Sequence, residues 1–170
     1  MCGIAGMLCF DPARPVSRGL LARMGEVLAH RGPDDAGLYV DGPIGLAHRR
    51  LGIIDLSAEG RQPLANEDET VWIVFNGEIY NFHALRPELE GRGHRFRSRT
   101  DTEVILHLYE ERGPACLEAL QGMFALAVWD ARRRELFLAR DRFGKKPLAY
   151  WADEAGIRFA SEAKAILQDP

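Results

Sequence analysis

Met1-Cys2-Gly3 is where this sequence first offers chemistry. Methionine is readily clipped when the next side chain is small, and its loss leaves Cys2 with a thiol and a free α-amine in one residue. Thiols titrate near about 8.5 and α-amines near about 7.7–8.0, so a modest shift yields thiolate at neutral pH. The amine can then move protons to a leaving group, directly or through a water. Gly3 lets backbone approach a reacting carbon closely. The competing reading of Cys2 is a buried strand residue. With Met1 in place Cys2 has only a peptide nitrogen, which cannot act as a base.

Asn76-Gly77 is the second such place, after the apolar run Val71–Phe75. It sets an amide side chain beside an unencumbered N–H, the two donors an oxyanion hole needs, although Asn-Gly is also the commonest hairpin turn. Charge supplies the rest. Arg49-Arg50 lies between apolar runs; one can snorkel or stay exposed while the other faces something anionic. Arg31 serves either a pocket wall or a structural ion pair. Thr100 or Asp101 sits where a helix N-cap belongs, and a carboxylate at 101 can equally bind a ligand's ammonium. Lys145-Lys146 beside Pro147 reads as a solvated turn.

The bulk properties narrow the field. A chain of 170 residues can bury one core. A net charge of -3 gives no reason to expect nucleic acid or an anionic membrane. No apolar stretch approaches 18 residues and no basic region precedes an apolar one, so neither a membrane span nor a signal peptide is indicated. Cys2, Cys9 and Cys116 make no disulfide framework and no CxxC spacing, which favours a reduced, cytoplasmic chain with Cys9 and Cys116 in the core. The histidines make no HExxH pattern, so no metal site is expected, and the lack of GxxxxGK[ST] or GxGxxG argues against ATP or a dinucleotide.

The elements that must position these residues follow from periodicity. Strands are expected over 3–10, 37–40, 44–48, 71–75, 94–97, 122–130, 134–140, 148–151 and 157–160. Helices are expected over 16–28 with Ser17 as cap, over 82–91 despite Pro87, after Thr100, over a short stretch to Leu120 and from near Ser161. Residues 57–69 read as a long loop. Strands, then helices, then strands again predict an α+β fold of mostly antiparallel sheets with helices outside.

Taken in order, Met1-Cys2-Gly3-Ile4, Arg31-Gly32-Pro33-Asp34, His48-Arg49-Arg50-Leu51 with Ile54-Asp55, Gln62-Pro63, Asn76-Gly77-Glu78-Ile79-Tyr80-Asn81, Asp101-Thr102-Glu103, Gly122-Met123-Phe124-Ala125, Arg140 to Leu148 and Ser161-Glu162 closely resemble the N-terminal glutaminase domain of glutamine-hydrolysing asparagine synthetase. More broadly they resemble class II glutamine amidotransferases among the N-terminal nucleophile hydrolases. The resemblance implies a four-layer αββα sandwich spanning 1–170 and hydrolysis of free glutamine to glutamate and ammonia through a cysteine thioester. It implies Cys2 as nucleophile with its α-amine as base and then acid, and Asn76 and Gly77 as the oxyanion hole. It further implies Arg50 on the substrate α-carboxylate, Glu78 and Asp101 on its α-ammonium, and backbone around Leu51 and Ile53 as orienting groups. Arg49 is left solvent-facing or structural.

In the resembled family the glutaminase half needs no cofactor. ATP and Mg belong to a C-terminal synthetase domain, absent here, that adenylates aspartate and receives the ammonia; a homodimer is one state open to such a full-length enzyme. The family's domain usually runs somewhat further, so a slight truncation is expected, with an exposed sheet edge. Two alternatives stay open: the glutaminase half of a sibling amidotransferase with another acceptor, and a non-catalytic domain that senses glutamine.

Overall fold

The computed structural model describes residues 1–169. Strand β1 (Gly3–Cys9) is apolar or glycine at every step because both of its faces are covered. It pairs antiparallel with β3 (Ile44–Arg50) and β9 (Gly156–Ala160). Strands β2 (Asp35–Asp41) and β8 (Ala149–Asp153) complete a five-stranded sheet, ordered β2-β3-β1-β9-β8. A four-stranded sheet runs β4 (Leu64–Ala65), β5 (Val71–Ile79), β6 (Gly122–Asp130), β7 (Glu135–Arg140). Every neighbouring pair in both sheets is antiparallel.

Side-chain alternation decides which face meets what. Ile4, Ile44, Leu46, Val74, Ala125, Ala127, Trp129 and Phe159 interleave between the sheets. The opposite face of the first sheet packs Ala5, Met7 and Ala47 on α1 (Arg18–Glu26) and on Ala165 of the short α4 (Ala163–Ile166). The opposite face of the second packs Ile73, Phe75, Leu126 and Val128 on α2 (Phe82–Gly91) and α3 (Asp101–Arg112). The layers are therefore helix, sheet, sheet, helix, as the resemblance implied. Each fully buried Ile or Leu between the sheets contributes roughly 1.5–3 kcal/mol. No described helix is long and apolar enough to cross a membrane.

Ser17 caps α1 as read from the sequence, and of the two candidates at α3 it is Thr100 that caps; they accept from the N–H groups of Leu20 and Glu103. Other expectations need correction. Residues 94–97 form no strand, because carboxylates from other elements take their donors: exposed Glu67 accepts from the N–H of Arg95 and buried Glu103 from that of Arg97. The helix to Leu120 is a 3-10 segment (Gly113–Ala119). The long loop contains a 3-10 turn (Ala58–Gly60) and β4. Asn76-Gly77 does not follow β5 but lies inside it, Asn76 opposite Ala125 and Gly77 opposite Phe124.

Candidate active site

The same alternation gathers the chemistry. His48 and Arg50 share the inward face of β3 with Ile44 and Leu46, whereas Arg49 faces α1, donating to the Gly25 carbonyl and pairing with Glu26. On β5, Asn76 and Glu78 share the parity of Val74, and on β6 Met123 shares that of Ala125. Where the inter-sheet packing ends, these positions line a cavity of about 230 Å³ together with Met1, Cys2, Leu51, Ile53, Gln62, Gly77, Thr100, Asp101 and Lys146. Ligand cavities run roughly 300–1,000 Å³, so this one suits a metabolite about the size of an amino acid.

Cys2 is held from three sides. Arg31 donates from Nε to the Cys2 carbonyl at 3.0 Å and from a terminal nitrogen to Glu162 at 2.8 Å, so it is both clamp and ion pair. Ser161 and Ile4 exchange hydrogen bonds that fix the next residues. The Cys2 thiol lies 3.4 Å from the Leu51 N–H and 3.7 Å from its carbonyl. That N–H, expected to orient a ligand, faces the sulfur.

Two donors nearby lack partners. The Asn76 side chain is buried, and its Nδ2 has no hydrogen-bond partner among the described residues. Alternation along β5 turns the N–H groups of Phe75, Gly77 and Ile79 to one edge. Gln62 Oε1 accepts from Phe75 at 2.6 Å and Asp101 Oδ2 accepts from Ile79 at 2.8 Å; among the described residues no side chain accepts from the Gly77 N–H between them. A Cβ at Gly77 would fall 2.4 Å from the Met123 carbonyl and 2.8 Å from the Phe75 ring, so only glycine fits at this position. The preceding peptide is fixed as well, since His48 Nε2 donates to the Phe75 carbonyl across the sheets at 3.1 Å. Burial drives the His48 pKa down to about 4, so it is neutral there. Leaving a buried donor unpaired costs about 1–3 kcal/mol, and an oxyanion would satisfy both.

The charged groups divide by sign. Arg50 donates to the carbonyls of Ser57 and Asp55, which spends two of its five N–H groups and aims the rest. Opposite, Asp101 caps the Ile79 N–H at the start of α3, and exposed Glu78 stands beside it. Burial, with a contribution from Glu78, raises the Asp101 pKa to about 6. Two carboxylates so placed repel each other until a cation enters.

All eight residues named from the sequence as catalytic or substrate-binding therefore line one cavity. The sequence reading missed Lys146. It is no solvated turn residue: it is buried, with its Nζ 3.1 Å from Met1 Sδ. The turn that buries it is built on Asp141, whose carboxylate accepts from the N–H groups of Phe124, Phe143, Lys145 and Lys146. An Asp five residues before a Lys, with a glycine between at φ +62°, was the available signal.

A family described as the glutamine amidotransferase domain matches residues 1–170. The asparagine synthetase [glutamine-hydrolyzing] 3 of Bacillus subtilis is 43% identical over 172 residues, covering 100% of this chain. Asparagine synthetase [glutamine-hydrolyzing] 3 of Arabidopsis thaliana is 44% identical over 171 residues, covering 99% of it. The chain spans only 28% and 29% of the length of those relatives. Among solved structures, glutamine phosphoribosylpyrophosphate amidotransferase from B. subtilis superposes with a TM-score of 0.81 at 22% identity, covering 97% of this chain and 43% of that one; this supports the fold alone.

Proposed function

Because the chain belongs to the glutamine amidotransferase domain family, we propose that it hydrolyses glutamine to glutamate and ammonia at Cys2. The observation that carries the proposal is the pair of unpartnered donors, Asn76 Nδ2 and the Gly77 N–H, in the cavity that Cys2 also lines. Arg50 holds the substrate α-carboxylate through its remaining N–H groups. Glu78 and Asp101 hold the α-ammonium. Removal of Met1 frees the Cys2 amine and vacates part of the cavity that Met1 now lines.

Sγ of Cys2 then attacks the side-chain amide carbon, and the oxygen takes the developing charge between Asn76 and Gly77. The Cys2 amine, having accepted the thiol proton, delivers it to the leaving nitrogen; the C–N bond breaks and ammonia departs, leaving a thioester. Water activated by the same amine breaks the thioester, which returns glutamate and the thiol. Release of glutamate and ammonia from glutamine by the Met1-free protein tests the reading; a folded, Met1-free protein that binds glutamine without releasing ammonia would make this a sensing domain instead.

Residues 1–170 read as one glutaminase domain whose ammonia serves asparagine formation in a C-terminal synthetase part, where ATP and Mg act. The identity to the two asparagine synthetases supports this. Exposed Ile53, Ile54 and Leu56 at and beside the cavity mouth give such a partner an apolar surface to cover.

Two expected results follow from the binding groups. Gly60 seats the Arg50 guanidinium: a Cβ there would lie 2.4 Å from an Arg50 terminal nitrogen and 3.0 Å from Thr100. Gly60→Ala should therefore raise KM for glutamine about tenfold or more, roughly 1.4 kcal/mol of binding, with a smaller change in kcat. Asp101 is charged above its pKa of about 6 and neutral below it. KM should accordingly be flat above pH 7 and rise toward tenfold per pH unit as pH falls below 6, and Asp101→Asn should remove that pH dependence while raising KM throughout.

A further inference from the structure

Further along α3 from the cavity, two histidines meet four glutamates. His107 Nδ1 lies 2.8 Å from Glu110 Oε2 and 4.0 Å from Glu67 Oε2. His94 Nδ1 lies 3.7 Å from the same Glu110 oxygen. Ligating atoms of Glu67, His94 and His107 all lie within 4.8 Å of one another. Atoms bound tetrahedrally to one zinc ion at about 2.0–2.2 Å stand roughly 3.4 Å apart, so these separations need only small side-chain adjustments to enclose an ion.

The outer nitrogens supply an independent observation. A metal-bound imidazole usually donates its other N–H to a carboxylate. His94 Nε2 is 3.0 Å from Glu111 Oε1. His107 Nε2 is buried without a hydrogen-bond partner, and the group facing it is Glu103 Oε1 at 4.0 Å. If neutral His107 gave its Nδ1 proton to Glu110, a buried Nε2 lone pair would point at a carboxylate. An ion on Nδ1 places the proton on Nε2, where Glu103 attracts it. Charge points the same way: among the described residues no Lys or Arg side-chain nitrogen lies within 4.0 Å of the Glu67, Glu103 or Glu110 carboxylate, although the backbone N–H groups of Arg95 and Arg97 donate to Glu67 and Glu103.

We propose that His94, His107, Glu67 and Glu110 form a binding site for a divalent transition cation of the zinc class, which staples the β4–β5 loop and the α2–α3 connection to α3. Two imidazoles with carboxylates suit such an ion better than magnesium or calcium, which take oxygen ligands. No sequence motif announces the site, because its members at 67, 94, 107 and 110 converge only through the fold.

Titration of the purified protein with zinc chloride, followed by calorimetry and thermal unfolding, tests the proposal. A Cys2→Ala background excludes the competing thiol. The expected result is uptake of one zinc per chain with a rise in Tm, and X-ray absorption showing two imidazoles with carboxylate oxygen. His94→Gln and Glu67→Gln, both at partly exposed positions and checked for folding by circular dichroism, should each weaken binding about tenfold or more, and Glu111→Gln about 10–100-fold. Zinc uptake that vanishes with Cys2, uptake unchanged in both His94→Gln and Glu67→Gln, or no uptake by the folded protein would overturn it.

Discussion

Replacing Cys2 by alanine is expected to abolish glutamine hydrolysis while leaving the fold and glutamine binding in place. Removal of a catalytic nucleophile from a hydrolase lowers kcat by many orders of magnitude, and a loss on the order of 10⁴-fold or more is expected here. The side chain can go at little structural cost because its only hydrogen-bond partners among the described residues are the backbone groups of Leu51. The other cysteines make internal controls. Cys116 is buried, and burial raises its pKa to about 11, so it stays a thiol at neutral pH. Cys9 packs against the helix-side core of the first sheet, away from the cavity. Steady-state ammonia release by Cys2→Ala, Cys9→Ala and Cys116→Ala proteins checks this: only the first should lose activity, and residual turnover near the unsubstituted rate in Cys2→Ala would place the chemistry elsewhere.

Asn76→Ala is expected to lower kcat by about 10²–10³-fold, equivalent to about 2.7–4 kcal/mol of transition-state stabilisation, with little change in KM. The split arises because the amide donor meets the oxyanion and not the carboxylate or ammonium that fix the ground state. Stability should move in the opposite sense from activity, or hardly at all. Asn76 Nδ2 is a buried donor without a partner, and deleting it removes a desolvation cost of about 1–3 kcal/mol that offsets the packing lost. Denaturant unfolding alongside kinetics separates the cases. A large loss of stability would mean that Asn76 is a structural residue, and a rise in KM without a fall in kcat would mean that it only binds.

Why some of this was legible in sequence and some was not follows from the physics of each position. Arg49-Arg50 could be divided in principle because alternation in a strand must send neighbours to opposite faces, but which one faces the cavity depends on the register with β1 and β2, a long-range fact. β1, α1 and α3 are announced by periodicity and caps, which are local. The end of β5 was misjudged because Asn-Gly carries a strong turn preference, and pairing with β6 overrides it. Residues 94–97 have strand composition, yet Glu67 and Glu103 satisfy two of their N–H groups from other elements. Lys146 looked solvated because lysine is rarely buried; only the Asp141 turn carries it inward. The identities of Cys2, Asn76, Gly77, Glu78 and Asp101 came with a family resemblance, while their convergence on one cavity is a property of the sandwich.

The most direct measurement is the intact mass of purified protein before and after exposure to an electrophilic glutamine analogue, with the adduct located by peptide fragmentation. Loss of Met1 and one adduct, on Cys2 alone and blocked by excess glutamine, is the result predicted. Met1-free, folded protein that takes up no analogue, or that carries it on Cys9, Cys116 or a lysine while Cys2 stays free, would contradict the account.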